Sequence, residues 1–343
     1  MQEAIIMKNE QFFLGPWMKR FLLEYLISVK NLSRNTQQSY RDTFRLYLPY
    51  LADTIKKSVD TLTVQDVSSK SIEDFLLSIE SERHCSIATR NQRLTAIHAF
   101  AQFVGLNNPE HAEWCRQIRL IPFKKGPKSS ITYLEKNEMD ALLSAPDRST
   151  ELGRRDYALL LFLYNTGTRA DELAQLAIGD LDIPRNSKKN VSLVMIRGKG
   201  NKLRRCPLWD DTSKELIQII SDRKAAEHVF LNRYKQPITR FGIHALVKRY
   251  VKQLLPQYPS LAMKRVSPHT IRHTTATHLL QSGVDINTIR AWLGHVSLNT
   301  TNIYVEVNLE MKAKALACCE VSGKKPQKHW RDDKDLMSFL GSL

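Results

Sequence analysis

The sequence predicts a mainly α protein of two domains with one small β-sheet, and three observations carry that reading. Its 343 residues exceed the roughly 250–300 at which a single core stops growing. Apolar residues recur at helical spacing through most of the chain. One stretch, residues 191–208, changes to short extended runs around a glycine-containing turn. Hydrophobic residues make up 42% and charged residues 25%, so there is apolar material for two cores.

The N-terminal domain is read as residues 13–110, a four-helix unit. Residues 17–30 place Trp17, Phe21, Leu22, Tyr25, Leu26 and Val29 at helical spacing, and 31–35 break it. A second helix over 36–51 carries Tyr40, Phe44, Leu46, Tyr47 and Tyr50. A third is expected over 71–79, and a fourth over 86–104 with Leu94, Ile97, Phe100 and Phe103 on one face. Arg34, Arg41, Arg45, Lys56, Lys57, Arg90 and Arg93 take the remaining, exposed positions. They read either as a solvated face or as a surface that tracks phosphates.

Residues 111–130 are read as a linker, ending in FKKGPKSS, whose Gly-Pro and three lysines suit neither helix nor strand. The second domain, 131–320, opens with a helix over 134–143 and a very apolar one over 156–164. VSLVMI, RGKGNK and LRRCPL then form a hairpin with a loop longer than two residues, and helices resume near Asp211 and Thr239. Residues 321–343 form a polar tail ending in the apolar cluster Leu336, Met337, Phe339 and Leu340.

Charge and cysteine content narrow the function classes. Lys plus Arg total 51 against 35 Asp plus Glu, a formal net charge of +16 that suits a polyanionic partner. The five cysteines, Cys85, Cys115, Cys206, Cys318 and Cys319, form no CxxC pair, which points to free thiols in a reducing compartment. No signal-peptide core opens the sequence, and no apolar run approaches the roughly 18 residues of a membrane span. A cytoplasmic protein with no membrane association is expected.

Four short segments hold the candidate chemistry. In YNTGTRADELAQL, Gly167 breaks a helix and Arg169 stands at the mouth of the next, where backbone N–H groups also favour anions; Glu172 follows three residues on. Alone this is an ordinary arginine–glutamate surface pair. RGKGNK sets Lys199 between two glycines, with Lys202 on the same turn; GxxxxGK[ST] is absent, so this is no P-loop, and a lysine at a hairpin tip is ordinarily just solvated. In SPHTIRHTTATHLL, Ser267 can cap, Pro268 suits a first turn, and His269 and Arg272 share one face. His273 lies four residues beyond His269, but with no HExxH and no carboxylate on that face it reads as a core residue or one backing a site, not as a metal ligand. LGHVSLNTTNIYVEV carries His295 and, nine residues later, Tyr304, a tyrosine that alone reads as core or interface.

Taken together and in order, TGTR, GKG in a hairpin, HTIRH, LGH and Tyr resemble the tyrosine recombinase, or phage integrase, family, and most closely its Xer-like and mobile-element branch. The resemblance covers about residues 15–320, including SxxTxxxY and TRNQRL runs similar to the family's core-binding domain. It implies a catalytic α+β domain that closes with the helical domain around double-stranded DNA as a C-shaped clamp. It implies that Tyr304 attacks a phosphodiester to give a 3′-phosphotyrosyl bond and a free 5′-hydroxyl, without ATP, metal or other cofactor. Arg169 and Arg272 would clamp the phosphate, Lys199 would act as general acid, His269 as general acid/base, and His295 as a donor to a non-bridging oxygen. Glu172 would orient Arg169 or His269, with His273 behind them. Arg34, Arg41, Arg90, Arg93 and Lys202 would contact DNA. A homotetramer on two DNA sites is expected, with residues 309–320 docking on a neighbouring protomer.

Three other readings compete. A type IB topoisomerase shares the chemistry, but the small size, the Lys199 hairpin and the LGH segment favour a recombinase. Candidates at all six catalytic positions argue against a non-catalytic DNA-binding protein, and the lack of a carboxylate cluster argues against a metal-dependent nuclease.

Overall fold

Serine caps start three of the N-terminal helices, as short polar side chains do where the first N–H groups have no partner. The computed structural model describes residues 13–126, 131–184 and 191–294, with the backbone alone of Lys199. The chain divides into two units, residues 1–129 and 130–343.

In the first unit, α1 (Leu14–Lys19) continues as a π-wound segment, Arg20–Val29. Residues five apart approach one face in that winding, and Phe21 and Leu26 are both fully buried. Val29, expected on the apolar face, is 69% exposed, because the change of winding turns it outward. Helices α2 (Arg34–Ile55), α3 (Ser69–Ser81) and α4 (Ile87–Asn107) follow. Ser33, Ser68 and Ser86 accept N–H bonds from Thr36, Ser71 and Thr89. Phe21 lies at the centre of the core, its ring 5.3 Å from Phe100 and 5.5 Å from Phe103 between centroids.

Much of the expected linker belongs to this unit instead. Residues 112–119 form a fifth helix, α5 (Ala112–Arg119). Ile118 and Ile121 join the core, and the Trp114 indole donates to the Val67 carbonyl at 2.6 Å. One buried isoleucine per two turns is too thin an apolar stripe to mark a helix in the sequence. Even Lys124 is tied back: its ammonium pairs with Glu80 at 3.0 Å, and its amide donates to Asn91 at 3.0 Å. Residues 127–130 of FKKGPKSS lie outside the described residues.

The second unit packs α6 (Lys136–Ser144), α7 (Glu151–Thr166), α8 (Ala170–Ala174), α9 (Asp210–Ile220), α10 (Arg240–Leu254), α11 (Pro268–Gln281) and α12 (Ile286–Leu293) around one sheet. Helix α7 begins earlier than its apolar run suggests, because Thr150 caps it and its first turn is polar. The sheet is antiparallel in the order β1 (Leu181–Asp182), β2 (Leu193–Arg197), β3 (Leu203–Pro207). Strand β1 was not legible in the sequence, since two residues define no period. Val194 pairs with Cys206 and Ile196 with Arg204, so these side chains face the core. Among the described residues no helix is long and apolar enough to cross a membrane.

Candidate active site

The site starts where α7 ends. Gly167 takes a left-handed conformation, φ +58°, and donates its N–H to Leu163 at 2.9 Å. A side chain there would also collide with Leu293: a Cβ would lie 2.5 Å from its Cδ2. Helix α12 ends the same way, at Gly294 with φ +66°. Two helix C-termini, each rich in partial negative charge, therefore meet.

Arg272 fills the space between them. It projects from α11, is 1% exposed, and donates Nη1–H to Gly167 O at 2.7 Å and Nη2–H to Leu293 O at 2.5 Å. A buried guanidinium needs several fixed acceptors, and its planar fork fits these two carbonyls. Ser267 and Pro268 start α11 as expected: Ser267 Oγ accepts from Thr270 N–H and the proline occupies the first turn.

Arg169 stands just past Gly167, at the start of α8, with its side chain 37% exposed. Glu172 holds it twice, accepting from its Nη1 at 2.6 Å and from its backbone N–H at 3.1 Å. Of the two residues that Glu172 was expected to orient, its bond is to Arg169. Burial pushes the Glu172 carboxyl up, but Arg204 and then Arg169 outweigh it and hold it down at about 2. Arg204 donates Nη2–H to Glu172 Oε2 at 2.6 Å.

His269 lies on the exposed side of the first turn of α11, and its ring meets that of His273 edge-on at 4.3 Å. Burial among its neighbours, and then the charges of Arg272, Arg169 and His244, lower its pKa. His273 is pushed lower, to about 4, by burial and by His269 and Arg272. Among the described residues no third side chain of a metal-ligand type joins this pair.

The Lys199 turn abuts the same place. Residues Lys199–Asn201 form one 3-10 turn between β2 and β3, closed by Gly198 N–H to Lys202 O at 2.8 Å, with Gly200 left-handed. A Cβ on Gly198 would lie 3.4 Å from Glu172 Oε1, so the base of the turn rests against the carboxylate that holds Arg169. Lys202 is exposed on this turn. The structure thus brings Arg169, Glu172, His269, Arg272, His273 and the backbone of Lys199 together. His295 and Tyr304 lie outside the described residues, one and ten positions past Gly294.

The expected DNA contacts divide. Arg34 and Arg41 are exposed on α2, Arg41 pairing with Asp42 at 2.8 Å. Arg90 and Arg93, expected to be exposed, are half-buried, Arg90 against the 122–124 segment and Arg93 against α2. Arg90 donates to Pro122 O at 3.1 Å and Arg93 to Thr43 Oγ1 at 3.2 Å. Their position on the face of α4 that meets α2 and the 122–124 segment explains the correction. Beside them, a cleft of about 560 Å³ is lined by Asn35, Ser39, Tyr40, Ala88, Gln92 and Phe123. A second cleft, of about 320 Å³, lies at the opposite end of α7, beside Glu151 and Arg154, away from Arg169.

Sequence reasoning missed His244 and Arg204. His244 carried no signal, since nothing local ties α10 to α11. Arg204 did: in LRRCPL it shares the inward parity of Cys206.

The chain matches the phage integrase family over residues 132–311, and the phage integrase N-terminal SAM-like domain over residues 19–106. The relative named integrase/recombinase y4rC, from Sinorhizobium fredii, is 35% identical across 96% of this chain and 98% of its own. The tyrosine recombinase XerC of Chlamydia caviae is 31% identical across 84% of this chain and 94% of its own. In fold, the chain is similar to the Tn1549 transposon integrase, solved with a circular intermediate DNA: TM-score 0.66, 17% identity, 87% of this chain and 98% of that one. It is also similar to the XerH recombinase bound to its difH substrate: TM-score 0.63, 21% identity, 87% and 84% covered.

Proposed function

The chain belongs to the phage integrase family of tyrosine recombinases, and we propose that Tyr304 is the residue through which it cuts and rejoins DNA. The family performs site-specific recombination through a phosphotyrosine intermediate. Here the Tyr304 phenol oxygen attacks phosphorus, the bond to the 5′-oxygen breaks, and a 3′-phosphotyrosyl ester forms. A partner strand's 5′-hydroxyl then attacks that ester and releases Tyr304, so the phosphodiester energy is kept and no ATP is spent.

The observation that carries this reading is geometric: Arg272 is held on Gly167 O at 2.7 Å, two residues before Arg169, and His269 stands one turn before Arg272 on the same helix. Such a site binds a phosphate and stabilises the charge that grows on its equatorial oxygens. A histidine whose pKa is lowered by burial and by nearby arginines can take the phenol proton as Tyr304 attacks. Lys199 supplies a proton to the leaving 5′-oxygen, and His295 donates to a non-bridging oxygen. The cationic side chains supply the charge stabilisation that a metal ion provides in other phosphoryl transfers.

The residues about 13–121 are the DNA-recognition domain and 131–320 the catalytic domain, with 321–343 a tail. In the recognition domain Arg34 and Arg41 meet backbone phosphates, and Lys202 meets the strand at the catalytic unit. The working form is a homotetramer on two duplex sites in the cytoplasm.

The test is Tyr304→Phe on a nicked duplex. DNA binding should be unchanged and the covalent adduct absent, since only the hydroxyl is lost. A normal yield of adduct would overturn the assignment.

A further inference from the structure

Arg204 is the least expected charged group in the second unit. It is the second residue of strand β3, points inward, and its side chain is 9% exposed. Nothing in the proposed chemistry needs it. A buried guanidinium is costly unless its donors are met, so where those donors go is informative. Nη2–H goes to Glu172 Oε2 at 2.6 Å and to Thr168 Oγ1 at 3.3 Å. Nε–H goes to the Trp292 carbonyl at 3.1 Å.

Those acceptors belong to two of the segments that carry the proposed catalytic side chains. Glu172 holds Arg169. The Trp292 carbonyl is the one before the Leu293 carbonyl taken by Arg272, so two arginines grip successive carbonyls at the end of α12, two and three residues before His295. The glycines on either side report the same packing. A Cβ on Gly294 would lie 3.0 Å from Arg204 Cδ, and a Cβ on Gly198, the residue before Lys199, 3.2 Å from Arg204 Nη1. Both glycines leave room for the guanidinium.

We propose that Arg204 is a positioning residue that sets Arg169, the Lys199 turn and the end of α12 at Trp292–Gly294 into one register. It does not touch substrate. A lysine would keep the charge opposite Glu172 but not the fork that also reaches Trp292 O. The inference rests on the assignment of Arg169, Lys199 and His295 to catalysis.

Arg204→Lys should slow single-turnover cleavage of a nicked duplex by about 100-fold, as small misplacements of reacting groups do, with DNA affinity within about threefold of normal. Amide hydrogen exchange at 198–202 and 291–294 should rise while the rest of the second unit keeps its protection. Cleavage at a near-normal rate, or a rate loss matched by lost DNA affinity, would overturn the proposal. If Arg204→Lys fails to fold, Gly198→Ala gives the same reading. Gly198 has an ordinary φ of −97°, so alanine there strains no backbone; its Cβ would press on Arg204 Nη1 at 3.2 Å and meet Glu172 and Lys202 O at ordinary contact distance. It should slow cleavage with binding intact, and an unchanged rate would count against the proposal. Tyr304→Phe, run alongside, tests the nucleophile separately. An adduct surviving there overturns that assignment, while the exchange data still decide the role of Arg204.

Discussion

Arg169 and Arg272 are the same residue type in the same proposed role, yet their surroundings differ. Arg272 is buried and spends two donors on helix-terminal carbonyls, whereas Arg169 is partly exposed and rests on one carboxylate. Both lysine variants should cut cleavage by about 100-fold or more, because a point charge cannot replace a fork on phosphate. Only Arg272→Lys should also lower stability, by about 1–3 kcal/mol, since it leaves a buried carbonyl unmet. Denaturant unfolding beside cleavage kinetics checks this; equal stability loss in the two variants would contradict it. His273 gives a pH dependence with a fixed sign. The folded protein resists its protonation down to about 4, while the unfolded chain takes the proton near 6.5. The unfolded state thus binds more protons in that window, and stability, full above about 6.5, falls as pH drops toward about 4. His273→Gln should lose less stability over that interval, and an unchanged pH dependence would place the effect on the other histidines with lowered pKa, His98, His269 and His278.

At the scale of elements, the β2–β3 hairpin acts as a short arm, with strands of five residues each fixed by inward Val194, Ile196 and Cys206. Its turn carries two lysines, and the proposed general acid is Lys199. A substrate with sulfur at the 5′-bridging position has a leaving thiolate that needs no proton near pH 7. Lys199→Ala should therefore cleave ordinary DNA severely slowly and recover much of its rate on the sulfur substrate, while Arg272→Ala should recover little. Rescue of Lys202→Ala in place of Lys199→Ala would move the role along the turn. Rescue of neither would give the hairpin a strand-holding part and make His269 the next candidate.

For the whole molecule, the net charge of +16 and the cationic site lead to one joint expectation. DNA affinity should drop by about 10³-fold or more between ~50 and ~200 mM salt, as it does for a protein meeting several phosphates. Cleavage at low salt should continue in EDTA, since arginines, lysine and histidines supply the charge stabilisation. Activity lost to EDTA and restored by Mg²⁺ would point to nuclease chemistry instead.

The sequence by itself determined the helical periodicity, the hairpin, the capped start of α11 and the order of motifs that marks the family, because each is written in neighbouring residues. Pro268 behind Ser267 and Lys199 between two glycines are legible without any long-range contact. Tertiary structure decided the rest. It half-buried Arg90 against the 122–124 segment and Arg93 against α2, drew Ile118 and Ile121 into the first core, and turned Val29 out to solvent. It also chose which partner Glu172 takes. Arg204 and Glu172 are 32 positions apart and Arg204 and Trp292 are 88 apart. No local pattern encodes such distances, and only the packing of β3 against α8 and the end of α12 brings those groups to one place.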